Sequence, residues 1–239
     1  MFYFPSETRP AVGRQVTLPA GTPPTGSTED EALLATLIAL GDLGDLNRHC
    51  ELTATTVSGG RSRAWHLSAG AWVTDAAADP PMTTTALRES AAASITFTCA
   101  SIDSGPRLGG NRDEDVVLDG DDCAPGDADT WTENGVVTGV TVEANGPTSL
   151  TWGEQVTVSG PSVRYDLVSG SVSELRSMGL AAASSCLAGD LDTAEAEDAR
   201  PDPPSGDGTF YLLRAENPCF DGTFGVGREA LDGLSCTSP

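Results

Sequence analysis

Lysine is absent from the 239-residue chain: all 13 basic side chains are arginines, set against 35 acidic ones. The formal charge of −22 repels phosphate backbones and anionic bilayers, which excludes nucleic acid and lipid surfaces as partners. Missing too is any apolar run of about 20 residues, so no segment reads as a membrane span. The opening, Met1-Phe-Tyr-Phe-Pro-Ser6, has neither the basic region nor the apolar core of a signal peptide. Its short apolar stretch, stopped by Pro5, reads instead as the end of a preceding element, as in a mature form or a piece of a longer exported protein. Catalytic motifs are lacking as well: there is no H-E-x-x-H, P-loop, G-x-G-x-x-G or G-x-S-x-G. The two histidines, His49 and His66, therefore read as structural or surface residues. Most carboxylates lie in acidic loops, where nothing apolar would raise the pKa of a general acid. The chain reads as non-catalytic.

Aromatic residues make up only 5% of the chain, whereas glycine (27) and proline (16) are frequent, which favours short elements joined by many turns. The length allows two modest domains. Six cysteines, Cys50, Cys99, Cys123, Cys186, Cys219 and Cys236, include no C-x-x-C pair, so zinc ribbons, thioredoxin-like sites and c-type haem attachment are excluded. Their even number and wide spacing predict three disulfides in an oxidising compartment, and hence an extracellular or cell-surface location.

The first 110 residues predict a small α+β domain, either self-contained or the continuation of an upstream one. Gln15–Leu18 alternates as a short strand. Thr28-Glu-Asp-Glu31 has the form of a capping box, with Leu33, Leu34, Leu37 and Ile38 on one helical face and Gly41 or Gly44 ending the helix. Strands follow over 50–57 and 61–67 around Ser58-Gly59-Gly60, then at 72–74 and 94–99, with a short helix from the threonines at 83–85. Cys50 and Cys99 fall on strands of one sheet and make a sensible pair. Beyond Trp131, strand-like runs at 137–143, 149–152, 163–168 and 210–215 predict a β-sandwich, with a helical turn at 173–178 and a solvated acidic connection over 190–207. The fold class expected is mainly β.

Between the two halves, residues 111–131 read as either a linker or a metal-binding loop. Eight of the residues from Asn111 to Asp129 are acidic. Counted from Asn111, oxygen-bearing side chains fall at positions 1, 3, 5, 9 and 12 (Asn111, Asp113, Asp115, Asp119, Asp122), with the Val117 carbonyl at position 7. Odd-numbered ligands converge while even-numbered side chains point away, the pattern a hard cation such as Ca²⁺ requires. Without a cation, so many carboxylates together repel one another. Position 6, where the chain must bend sharply, is Val116 rather than glycine. Asp121, Asp127 and Asp129 are candidates for a second or shared site.

Three stretches carry resemblances. Arg112–Pro125 resembles the aspartate-rich calcium repeats of thrombospondin type 3, from which it departs at Asn111 and Val116 and in having its cysteine one place early. Trp152, Tyr165 and Tyr211-Leu-Leu-Arg-Ala-Glu-Asn217 are similar to fibronectin type III modules. Cys186-Leu-Ala, Asn217-Pro-Cys219 and Gly222-Thr-Phe-Gly225 resemble the cysteine-bearing variant at the ends of large secreted bacterial proteins. Val12–Leu18 and Ile95–Cys99 through Arg107–Gly110 resemble a region that follows propeller or c-type cytochrome domains in such proteins. These resemblances imply a fibronectin-type-III-like sandwich over 132–239. Within it Cys186 and Cys219 are the favoured disulfide, which leaves Cys123 with Cys236. The function expected is a calcium-stiffened structural or interaction module for protein–protein or cell-surface assembly. The alternatives are a polysaccharide-binding accessory module using Trp65, Trp72 or Trp131, and a subunit of an extracellular filament or surface layer.

Overall fold

The computed structural model describes residues 11–42, 48–144, 146–231, 233–234 and 236; the expectations for Met1–Ser6 and Gly44 fall outside them. The chain divides into two units, Met1–Gly126 and Asp127–Pro239, and the fold is mainly β, with helices concentrated in short pieces.

In the first unit, β1 (Gln15–Leu18), β2 (Glu51–Ser58), β3 (Arg61–Ser68), β4 (Ala71–Thr74) and β5 (Ile95–Ala100) form one antiparallel sheet in the order β1-β5-β2-β3-β4. Gly59 (φ 60°) and Gly60 (φ 82°) supply the two left-handed positions of the tight β2–β3 turn, a conformation that side chains other than glycine resist. Helix α1 (Thr28–Gly41) buries Leu34 and Leu37 against the sheet. Its N-cap is Ser27 rather than Thr28: the Ser27 hydroxyl accepts from Asp30 N at 3.2 Å. Glu31 still reaches back, but to the N–H groups of Thr25 and Gly26 and to Arg88 of helix α2 (Thr84–Ser90). Leu18, Leu52, Trp72, Leu87, Ile95 and Phe97 fill the core, where the Trp72 and Phe97 rings lie 5.4 Å apart. The Cys50–Cys99 disulfide joins the core as expected. A short helix α3 (Gly105–Gly109) follows β5.

The second unit contains two antiparallel three-stranded sheets. Strands β6 (Thr141–Ala144), β7 (Thr148–Thr151) and β10 (Glu195–Asp198) form one, in the order β10-β7-β6; β8 (Arg164–Ser171), β9 (Ser185–Leu191) and β11 (Thr209–Glu216) form the other, in the order β11-β8-β9. Short helices α4 (Val156–Ser159), α5 (Val172–Met178) and α6 (Leu180–Ala183) lie in the connections. Leu150, Trp152, Val163, Tyr165, Leu167 and Ala215 make the core of this sandwich. Trp152 meets Tyr165 edge-on, with ring centroids 5.4 Å apart, and the Tyr165 hydroxyl accepts from Gln155 N at 2.8 Å. Alternation along β8 turns Val168 to the opposite face, where it packs with Phe224, Leu231 and Cys236.

Part of the predicted solvated connection over 190–207 is strand β10. Ala196 packs against the core while Glu195 and Glu197 are exposed, and Asp198 accepts from Arg200 (2.6 Å) and from the Tyr211 hydroxyl (2.9 Å). The cysteine pairing also departs from expectation. Cys186 bonds Cys236, not Cys219, with Cα atoms 5.5 Å apart. Strands β9 and β11 flank β8 on opposite sides, about 9–10 Å apart, and Cys219 lies past the end of β11, which stops opposite Arg164, whereas Cys186 lies opposite Val168 further along β8. A cystine needs Cα atoms within about 7 Å. The C-terminal segment instead reaches β9 at Gly189, which packs against the Cys236 carbonyl with no room for a Cβ. All six cysteines are disulfide-bonded, Cys123 and Cys219 included, and Cys123 does not pair with Cys236.

Two carboxylates tie these elements together through arginine. The Arg88 guanidinium holds Glu31, and the Arg200 guanidinium holds Asp198, each at a pKa of about 2. Unfolded, both groups return to the usual range near 4. Because the folded values are depressed, the stabilisation is complete above about pH 5 and is lost as the pH falls toward about 2. A Glu31→Gln/Asp198→Asn variant is expected to show a shallower loss of melting temperature across that acid window than the wild type, followed by circular dichroism; parallel curves would contradict the assignment.

Candidate metal centre

Helix α3 ends at Gly109, and the acidic segment begins two residues later. It packs on the first unit instead of bridging away from it as a linker. The Asp119 N–H donates to the Gly110 carbonyl (2.9 Å), and the Gly120 N–H donates to the Asp75 carbonyl at the end of β4 (2.7 Å). The Asp121 carboxylate accepts from Ala77 N (2.6 Å), and Arg61 of β3 donates to the Asp122 carbonyl (2.7 Å). Asp75 is itself fixed: it is fully buried, accepts from Ala64 N at 2.7 Å, and pairs with Arg63 at 2.7 Å.

Within the loop, three aspartates repeat one local geometry. One oxygen of each accepts from the backbone N–H two residues on: Asp113 from Asp115 (3.4 Å), Asp115 from Val117 (2.6 Å) and Asp122 from Ala124 (2.7 Å). This Asx turn is a habit of short acidic side chains. The second oxygen, Oδ2, of all three is buried and accepts no hydrogen bond from the protein. One carboxylate oxygen from each aspartate lies within 4.8 Å of the others, and Asp122 is fully buried. Burial, and then the crowding of neighbouring carboxylates, pushes the Asp115 and Asp122 carboxyls up; the N–H groups of Val117 and Ala124 act against this.

Asn111 and Asp119, also in the expected ligand set, have partners of their own. Asn111 braces the loop, its Oδ1 accepting from Glu114 N (2.8 Å) and its Nδ2 donating to the Asp115 carbonyl (2.9 Å). Val117 contributes its N–H to Asp115. Both Asp119 oxygens are taken by Arg112, through its backbone N and its Nε at 2.8 Å each. The left-handed residue is Glu114 (φ 63°), not Val116, so the bend falls between Asp113 and Asp115. Asp121 is engaged by Ala77, and Asp127 caps Thr130 and Asp129 in the second unit. Three converging hard oxygens with no competing donor, nitrogen or sulfur fit a hard cation such as Ca²⁺.

Other candidates resolve differently. Trp65 and Trp72 lie in the core, and the partly exposed Trp131 donates its indole N–H to the Val158 carbonyl at 2.8 Å. Burial pushes the His66 imidazole down, while the Gly109 backbone and Glu51 act against this. A cavity of about 520 Å³ in the second unit, not singled out by sequence, is lined by Arg164, Arg214, Glu216 and Asp221. There Arg214 pairs with buried Asp166 at 2.6 Å and with Glu216 at 3.3 Å, and burial, then Asp166, pushes the Glu216 carboxyl up.

These features define a disulfide-bonded, mainly β protein with an α+β unit, a β-sandwich and a carboxylate cluster. No family model and no curated protein matches the chain. Among solved structures, a Fn3-like protein from Clostridium thermocellum is similar over 38% of this chain and 85% of its own, at 16% identity and a TM-score of 0.28; a likeness of that degree carries no argument about function.

The loop depends on close backbone approach at Gly120, where a Cβ would lie 2.7 Å from the Asp75 carbonyl oxygen and 3.1 Å from the Ala76 Cβ. Gly120→Ala is expected to cost about 1–3 kcal/mol through this overpacking and to raise amide exchange over residues 111–124. Unchanged urea unfolding and exchange would show that the loop is not anchored there.

Proposed function

We propose that the chain is a non-catalytic extracellular structural or interaction module, stiffened by Ca²⁺ in its first unit and serving protein–protein or cell-surface assembly. The observation that carries this reading is the set of three buried Oδ2 atoms of Asp113, Asp115 and Asp122, which lack any donor from the protein. Burying unpaired carboxylates side by side is costly, and a divalent cation removes that cost. Three disulfides suit an oxidising compartment, and a charge of −22 suits surroundings rich in divalent cations. Among the described residues, no helix is long and apolar enough to cross a membrane.

In this reading the residues act by position. Asp113, Asp115 and Asp122 hold the ion, Asn111 closes the loop around them, and the Asp75 carbonyl and Arg61 moor it to the sheet. The ion supplies positive charge that locks the loop. Calcium titrated into the chelator-stripped protein is expected to bind at micromolar to millimolar concentrations and to raise the melting temperature by mass action, with both effects lost in Asp113→Ala/Asp115→Ala. Sedimentation with and without calcium then reports any self-assembly. Absence of both heat and thermal shift would reduce the segment to a plain acidic loop.

A further inference from the structure

Asp119 stands apart from the other loop aspartates. It is more buried than Asp113 or Asp115, with only 5% of its side chain exposed, and its charge acts on both Asp115 and Asp122. Yet it offers no free oxygen, because Oδ1 accepts from the Arg112 backbone N–H and Oδ2 from the Arg112 Nε, each at 2.8 Å. The Arg112 side chain is itself half exposed at 51%, so it is not needed to fill the interior.

Resting on the cation reading above, we propose that Arg112 sets the affinity of the site by withholding Asp119 from it. A loop of this type tunes its affinity through the number of carboxylates that reach the ion. With Arg112 in place, three carboxylates face the site and the fourth is neutralised beside it. Fully buried Asp122, with an oxygen that no protein donor meets, shows that the pocket does not satisfy its own carboxylates. Gln at position 112 removes the guanidinium but keeps the backbone N–H, so Asp119 retains one anchor and the loop its closure. The released oxygen and the uncompensated charge then both favour a divalent cation. Arg112 is thus a positioning residue that keeps the site weak enough to respond to changes in cation concentration.

The test is a calorimetric Ca²⁺ titration of the chelator-stripped full chain as wild type, R112Q, D119N and R112Q/D119N, with apo melting curves to establish folding. R112Q is expected to bind about tenfold more tightly than wild type, in keeping with one added carboxylate. D119N, which leaves the Arg112 charge unpaired next to the ion, is expected to bind more weakly, and the double variant to lose the gain of R112Q. Equal or weaker binding by R112Q than by a calcium-binding wild type overturns the role of Arg112 and leaves the cation site standing. Failure of both wild type and R112Q to bind overturns the site and this inference together. Tighter binding by R112Q that survives the D119N change overturns Asp119 as the means.

Discussion

The carboxylates of Asp113, Asp115 and Asp122 come together inside the first unit, and each buries one oxygen, Oδ2, that no proton donor from the protein meets. Two carboxylates can share a proton, and an isolated one can take up an arginine. The chain uses the second solution at Glu31, Asp75, Asp119, Asp166 and Asp198. With 13 arginines for 35 acids, it leaves this cluster without one. The proposed role of the loop rests on that imbalance, which a hard cation would close.

The surrounding structure keeps the three oxygens together despite their repulsion. Each aspartate spends its other oxygen on a backbone N–H two residues ahead, which fixes the side-chain direction locally. Asn111 bonds across the first turn of the loop, while Gly120, Asp121 and the Asp122 carbonyl bond outward to Asp75, Ala77 and Arg61. Those outer anchors lie at the end of β4, just beyond it, and on β3, in a sheet already stiffened by the Cys50–Cys99 disulfide and the Trp72–Phe97 contact. The rigidity of the sheet is therefore passed to the loop through one main-chain bond, from Gly120 to Asp75, and two that each use one side chain, Asp121 and Arg61.

Much of the fold was legible because burial leaves a period in the sequence. Ile95-Thr-Phe-Thr-Cys99 alternates and is a strand; Gly59-Gly60 marks the β2–β3 hairpin; Trp152 and Tyr165 do meet across the second core. Strand β10 escaped notice because Glu195-Ala-Glu-Asp buries a single alanine and satisfies Asp198 with a distant tyrosine, and acidic residues in a row carry no apolar signal. The Cys186–Cys236 pairing was illegible because it depends on where the chain beyond β11 returns to β9, which local pattern does not encode. In the acidic loop, spacing marked out Asp113, Asp115 and Asp122 together with Asn111, Val117 and Asp119. Spacing registers which side chains can converge; it does not register that Arg112 has claimed Asp119 or that Asn111 serves as a brace. An arginine next to the first residue of an acidic motif was the one available hint.

The most direct measurement is a crystal structure of the chain soaked in calcium, read for anomalous scattering. The account predicts a peak within about 2.3–2.6 Å of Oδ2 of Asp113, Asp115 and Asp122, the span of Ca²⁺–oxygen bonds, with the loop anchors to Asp75 and Arg61 intact. No peak, with the three carboxylates splayed toward solvent, would contradict it.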